Sequence, residues 1–214
     1  VIEYRIASAF VQDEISLVPQ TLMLTLGSRF EYSTLSDFET QPTARLMWTP
    51  TTDDSLWLNW SRAARTPSLG ELNANVVLGA QPQPLAPGGV VVLRSLPAPN
   101  LRPRAERVDA LELGYRRTLS SGSLEAVLFH HDYRRLGATT MGQLDMSSPP
   151  FVQPLYRSYF ANACTTGLEL AADINSAATL RLQGSYTVLD TTARRYLDPA
   201  ADANVTVRDL LCHR

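Results

Sequence analysis

The chain has 214 residues, 44% hydrophobic and 19% charged, with a formal net charge of −2. Its 19 basic and 21 acidic residues give neither the basic field that nucleic acid requires nor an acidic tail. No apolar run approaches the roughly 18 to 20 residues of a membrane-crossing helix.

Charge content is low for a soluble surface, while Thr, Ser, Leu and Ala are plentiful. That mix suits a β-protein whose second face is polar but mostly uncharged. The opening VIEYRI has no Met, basic segment or apolar segment of a signal peptide. The chain is then either a cytoplasmic protein or an internal piece of a longer one, and the abrupt end at DLLCHR favours the second. Cys164 and Cys212 match no metal spacing. The simplest reading is a packed thiol and a second thiol near the end, with a disulfide as the alternative.

Helical periodicity is almost absent and period-two alternation recurs. In 21–32, Leu22, Leu24, Leu26, Phe30 and Tyr32 share one parity, and Thr21, Thr25, Arg29 and Glu31 the other. Next come Ala44, Leu46 and Trp48 opposite Arg45, then Leu56, Leu58 and Trp60 opposite Asn59 and Ser61. Leu111, Leu113 and Tyr115 then oppose Glu112. Residues 123–133 are weaker, because Val127, Phe129 and Tyr133 share their parity with Glu125. The last two runs set Leu168, Leu170, Ala172 and Ile174 against Glu169 and Asp173, then Leu180, Leu182, Tyr186 and Val188 against Arg181, Gln183 and Thr187.

These runs predict eight strands, at 5–17, 21–33, 41–49, 55–65, 105–119, 123–135, 157–174 and 179–190. Short turns at 18–20, 50–54, 120–122 and 175–178 alternate with long connections at 34–40, 66–104, 136–156 and beyond 190. An outer-membrane barrel is expected to alternate in this way, with tight periplasmic turns and long external loops. Strand length agrees, since roughly 9 to 11 residues cross a bilayer at a tilt. Trp48, Trp57, Tyr32 and Tyr133 lie near strand ends, as interfacial girdles would.

The stretches FVQDEI (10–15), LTLGSRFEY (24–32), QPTARLMWTP (41–50), SLWLNWSRAARTPSLGEL (55–72), NLRPRAERVDALELGYR (100–116), FHHDYRRL (129–136) and GLELAAD (167–173) carry a family likeness in that order. The chain resembles the β-barrel of TonB-dependent outer-membrane receptors. The matching corner is Arg65, Pro67 and Ser68; after the loop come Asn100, Leu101 and Glu106, then Glu112, Leu113, Gly114 and Tyr115. RPRAE (102–106) departs from the usual pattern, and 191–214 matches nothing, so that tail is expected to be an external loop or an unmatched end.

The resemblance implies an all-β, antiparallel, up-and-down transmembrane barrel segment, about eight strands of a 22-stranded barrel closed around a plug. It implies uptake of a scarce ligand such as a ferric siderophore, haem or cobalamin, with no resident cofactor. Energy would come from a TonB–ExbB–ExbD complex acting through the plug, and the wall would face outer-membrane lipid. Alone, the segment is expected to leave two unpaired edges and to transport nothing.

No nucleophile elbow, phosphate loop or dinucleotide fingerprint occurs. The pair GG at 88–89 lies in a proline-rich loop. His130 and His131 are adjacent on a strand and point to opposite faces, so they cannot chelate one ion together. Glu169 and Asp173 are too far apart along a strand to share a proton. No enzyme is expected. The long 66–104 loop, with Pro67, Pro82, Pro84, Pro87, Pro97 and Pro99, is the best ligand-contact segment. The candidate ligand-binding residues are Arg65, Arg94, Arg102 and Arg104, whose charge would attract an anionic chelate. Arg65 should face the lumen. Arg62 should face outward, escaping by snorkelling or through a bulge. A passive porin-type channel and a soluble β-rich binding module remain as alternatives.

Overall fold

The computed structural model describes residues 3–82, 89–98, 102–177 and 180–195. The described residues form one sheet of ten strands: β1 (Ile6–Val18), β2 (Leu22–Ser33), β3 (Asp37–Trp48), β4 (Asp54–Arg65), β5 (Val76–Pro82), β6 (Val90–Leu96), β7 (Glu106–Leu119), β8 (Gly122–Met141), β9 (Phe151–Ala177) and β10 (Leu180–Arg195). A single helical turn, α1 (Leu69–Asn73), follows β4. No helix among the described residues is long and apolar enough to cross a membrane.

The order β1-β2-β3-β4-β7-β8-β9 is antiparallel throughout, and β10 pairs with β9. Two strands beyond the expected eight come from within the long loop. The β5–β6 hairpin folds back, and β6 pairs in parallel with the start of β9, Val91 opposite Phe151 through Leu96 opposite Tyr156. Valine-rich VVV at 90–92 has the β-branched composition that fits a pleated edge.

The expected long connection at 34–40 is instead a three-residue turn, because β3 begins at Asp37. Strict alternation of loop lengths therefore fails there. The other large changes are extensions, with the remaining boundaries within one residue: β8 and β9 narrow their connection to 142–150, β9 runs on from 174 to Ala177, and β10 continues five residues past the expected end at 190. The turn at 178–179, Asn100, Leu101, Pro84, Pro87, Pro99, Gly88, Cys212 and 196–214 lie outside the described residues.

Residues opposite one another in a ladder share a face, so register sorts the side chains. One face carries successive cross-strand rows. Leu56, Tyr115, Ala126, Leu170 and Tyr186 form the first, and Leu58, Leu113, Leu128, Leu168 and Val188 the second. Trp60, Leu111 and His130 form the third. Leu58, Leu113 and Leu128 are 45%, 50% and 54% exposed. A contiguous apolar surface spread over many strands, with no second layer among the described residues, is far beyond what a soluble monomer displays. Asp13, opposite Leu26 on the edge strand β1, interrupts this face.

The other face carries Thr25, Arg45, Asn59, Glu112, His131, Thr165 and Thr191. It also carries Phe129 and Tyr133, the weak parity of β8, and Trp57. Trp57 and Tyr133 are therefore not on the girdle face, whereas Tyr32 and Trp48 are, at opposite ends of the sheet. For Trp57, as for Phe129, the reason is close approach to glycine. A Cβ on Gly114 would lie 2.0 Å from the Trp57 ring, and one on Gly167 would lie 2.4 Å from Phe129 Cζ. Each ring lies across a neighbouring glycine, an arrangement that screens the backbone there. Gly114→Ala should displace Trp57 and cost about 1 to 3 kcal/mol of overpacking. A lowered urea midpoint and a shifted Trp emission in the folded barrel would show it.

Little is buried among the described residues, and most of what is buried gathers at the loop end. Glu31, Ser33, Ser36, Glu39, Pro67, Ala105, Ser158 and Tyr159 are all there. Cys164 on β9 is also buried and is disulfide-bonded, so the expected packed thiol is corrected.

Candidate functional site

At the loop end of the polar face, β4 finishes at Arg65 and buried Pro67, which has no N–H to donate, stops the ladder. Ser68 then caps α1. Its Oγ accepts from the Glu71 N–H at 3.2 Å, and the Ser68 N–H donates to the Glu71 carboxylate at 2.9 Å. This reciprocal capping box satisfies two backbone donors and fixes where Glu71 points.

Glu71 faces two guanidiniums. Arg65 Nη2 donates to it at 2.9 Å and Arg157 Nη2 at 3.2 Å. Glu106, opposite Arg65 in the β4–β7 register, accepts from Arg65 Nε at 2.9 Å, Arg157 Nη2 at 3.1 Å and the Gly137 N–H at 2.8 Å. Two arginines thus alternate with two glutamates, and each arginine bridges both carboxylates. The network ties β4, α1, β7, β8 and β9 together.

Its geometry rests on a bulge in β8. Arg135 has φ 58° there, its N–H donates to Asn162 Oδ1 at 3.1 Å, and the register slips between Tyr133 and Leu136. The slip presents the Gly137 N–H to Glu106. A Cβ at Gly137 would lie 1.7 Å from Arg157 Nη2, so only glycine leaves room for that guanidinium. On its other side Arg157 stands 5.8 Å over the buried Tyr159 ring.

Arg65's hydrogen bond, the first cause, holds the Glu71 carboxyl below its ordinary value of 4.5; the Ser68 N–H and the Arg157 charge add to this against desolvation. A depressed carboxylate stabilises above its ordinary pKa and loses that contribution as pH falls through the lower folded value. Protection of 68–73 against hydrogen exchange should hold near about pH 6 and drop below about pH 4, whereas the β7–β8 ladder should stay protected.

Farther down the polar face, Gln12, Glu14, Thr25, Thr43, Arg45, Trp57, Asn59 and Glu112 line a concavity of about 360 Å³. His131 stacks on Phe129 at 5.1 Å and lies 3.7 Å from Glu112. His130 is on the opposite face, bonded to Thr166 at 2.8 Å. No group of metal-ligating side chains occurs among the described residues. Glu169 and Asp173 face inward, and Asp173 pairs with Arg181.

Arg65 lies on the polar face, joined to Glu71 and Glu106. Arg62 lies on the apolar face, but neither snorkelling nor a bulge in β4 resolves its charge. The β4–β7 register is unbroken, and Arg62 donates to Asp109 on the next strand at 2.8 and 3.2 Å. Arg94 on β6 bonds the neutral Asn75 at 2.8 Å. Arg102 and Arg104 are exposed just before β7. The four expected residues are thus not drawn into one cluster. Sequence reasoning missed Glu71, Arg157 and Tyr159. The Ser-x-x-Glu spacing at 68–71 was a readable capping signal, but nothing local marks Arg157 as Glu71's partner from 86 positions away.

An antiparallel sheet with a leucine-rich outer face and a charged, hydrogen-bonded inner face is a wall segment of an outer-membrane β-barrel. The chain belongs to the TonB dependent receptor-like, beta-barrel family, whose model matches residues 1–209. That family is one of outer-membrane transport receptors, not enzymes. The fold is similar to that of the siderophore receptor PirA from Pseudomonas aeruginosa, at 21% identity and TM-score 0.71 over 88% of this chain and 35% of that one. It is also similar to the ferric enterobactin receptor mutant R480A (PfeA) of the same organism, solved with enterobactin, at 21% identity and TM-score 0.69 over 87% and 27%. The FrpB iron transporter from Neisseria meningitidis matches at 14% identity and TM-score 0.55 over 90% and 26%. No curated protein sequence matches. The chain spans about a third or less of the length of these structures.

Proposed function

We propose that this chain is wall and external loop of a receptor that takes up an anionic ferric chelate, with energy delivered by a TonB–ExbB–ExbD complex through a plug inside the barrel. Support comes from the family and from fold relatives described as siderophore receptors and an iron transporter. The observation that carries the ligand class is the state of the loop arginines. Arg94, Arg102 and Arg104 have no carboxylate partner among the described residues, whereas both charges near Arg65 are already matched. Unpaired guanidiniums at a mouth attract an anion and bind its oxygens bidentately. On this reading Arg65 anchors the loop, and Arg94, Arg102 and Arg104 meet the ligand.

Deletion of the gene should abolish growth on one anionic ferric siderophore as sole iron source and leave growth on ferrous iron intact. Uptake should stop when the proton gradient is collapsed. Uptake that continued without the gradient would instead indicate a passive channel. Unaffected growth on every siderophore, with lost growth on haem or cobalamin, would reassign the ligand.

A further inference from the structure

We propose that the disulfide of Cys164 is closed in the periplasm, before β9 crosses the membrane, by thiol–disulfide exchange with the oxidising disulfide of a periplasmic oxidoreductase. Cys164 lies opposite Asp132 on β8 and Thr192 on β10, in the row of Arg62 and Asp109. It is therefore on the outer face, toward the loop end. The strand from Cys164 to Ala177, where β9 ends on the turn side, is about 43 Å long at about 3.3 Å per residue. At a tilt of about 45° that length spans a depth of about 30 Å, the thickness of the hydrocarbon core. Short turns of such a barrel lie in the periplasm and long connections outside the cell. In the assembled wall Cys164 thus stands a whole core thickness from the periplasm.

The folded wall also shuts the sulfur off. Exchange requires a thiolate to reach the sulfur it attacks, and Cys164 is only 6% exposed. Both ladders of β9, to β8 and to β10, run unbroken from Leu168 to Ala163. Fraying of a sheet edge therefore cannot uncover it. Yet Cys164 is disulfide-bonded, and no described cysteine is free. The bond is accounted for if it forms while β9 is still unpaired, in the oxidising compartment from which the chain enters the membrane.

The chain's other cysteine is Cys212. One receptor thiolate attacks a sulfur of the donor disulfide and expels the donor's second sulfur as a thiolate, leaving a mixed disulfide. The other receptor thiolate then attacks the receptor sulfur of that bond and releases the donor as a dithiol. The receptor loses two electrons and two protons, and the donor gains both. A bond between positions 164 and 212 encloses the pairing of β9 with β10 from Cys164 to Ala177. Closing that loop early removes chain entropy from the precursor and keeps the two strands together before lipid supports them. This order of events requires the loop end to be external and is independent of the transported ligand.

The test uses the complete receptor in living cells, pulse-labelled, quenched in acid and alkylated with a maleimide that adds mass to free thiols. Heat-modifiable gel mobility separates the assembled barrel from its precursor. In wild-type cells Cys164 of the unassembled precursor should already resist the tag, and equally so when barrel insertion is blocked. In cells lacking the periplasmic thiol oxidant Cys164 should take the tag, its oxidation slowed at least about tenfold. A membrane-impermeant disulfide oxidant added to those cells should not restore the bond in barrels already assembled. The Cys164→Ser variant identifies the tagged band; if it does not assemble, peptide mass spectrometry of the tagged wild-type chain gives the same reading. A Cys164 thiol that is free in the precursor and lost only in the assembled barrel would overturn the proposal. So would undiminished oxidation without the periplasmic oxidant, restoration by the impermeant one, or a free Cys164 in the mature wild-type receptor.

Discussion

Glu106→Ala is expected to release the α1 corner from the wall and to destabilise the loop end by about 3 kcal/mol, within the range for breaking a part-buried ion pair. Glu106 receives both arginines and the Gly137 N–H. Its removal leaves Arg65 and Arg157 facing each other with only Glu71 between them. Much of the loss comes from orphaned donors, not from the absent attraction. Glu106→Gln, which retains acceptor oxygen but not charge, should cost less. Limited proteolysis within 66–80 and hydrogen exchange at 68–73 would register the release. Ligand affinity should fall in parallel if the loop presents Arg94, Arg102 and Arg104.

The second large effect is expected on the outer face. Asp109→Ala strands the Arg62 charge beside Trp60 and Leu111. A lone lipid-facing arginine costs about 2 to 4 kcal/mol at the bilayer midplane and less toward the interface. Because Arg62 sits a row above the tryptophan, about 1 to 2 kcal/mol is expected there. Arg62→Leu combined with Asp109→Ala should restore most of the loss, since neither charge is then left alone. The folded fraction in lipid vesicles, read by heat-modifiable mobility, gives both the loss and the rescue. No rescue would mean that the pair does not compensate itself.

Where one face is apolar, the sequence was enough to sort it. The parity of Leu56, Leu58 and Trp60, extended to Arg62 and Arg65, placed both arginines on the faces where the register puts them. It could not say how Arg62 is neutralised, because Asp109 becomes its neighbour only once β4 and β7 pair across a long loop. The parity of β8 was weak for a related reason, since Phe129, like Trp57 on β4, lies on the inner face. On an inner face apolar rings are used to cover Gly114 and Gly167, so hydrophobicity alone does not mark the outside. The loop was the least legible part. Short strands β5 and β6 draw their order from the exposed edge of β9, a partner some 60 residues on, and not from their own pattern. Likewise the charge network requires the slip at Arg135, and a single non-glycine residue with φ 58° has no sequence signature in RRLG.

The central claim is that one face of this sheet meets lipid and the other meets water. It is tested most directly by nitroxide labels on the complete receptor in liposomes, at Leu58→Cys, Leu113→Cys and Leu128→Cys against Asn59→Cys and Glu112→Cys. Relaxation by molecular oxygen, which concentrates in lipid, should dominate at the three leucine positions. Relaxation by a water-soluble nickel chelate should dominate at Asn59 and Glu112. Leucine positions as open to the nickel chelate as Asn59 and Glu112 would contradict the account.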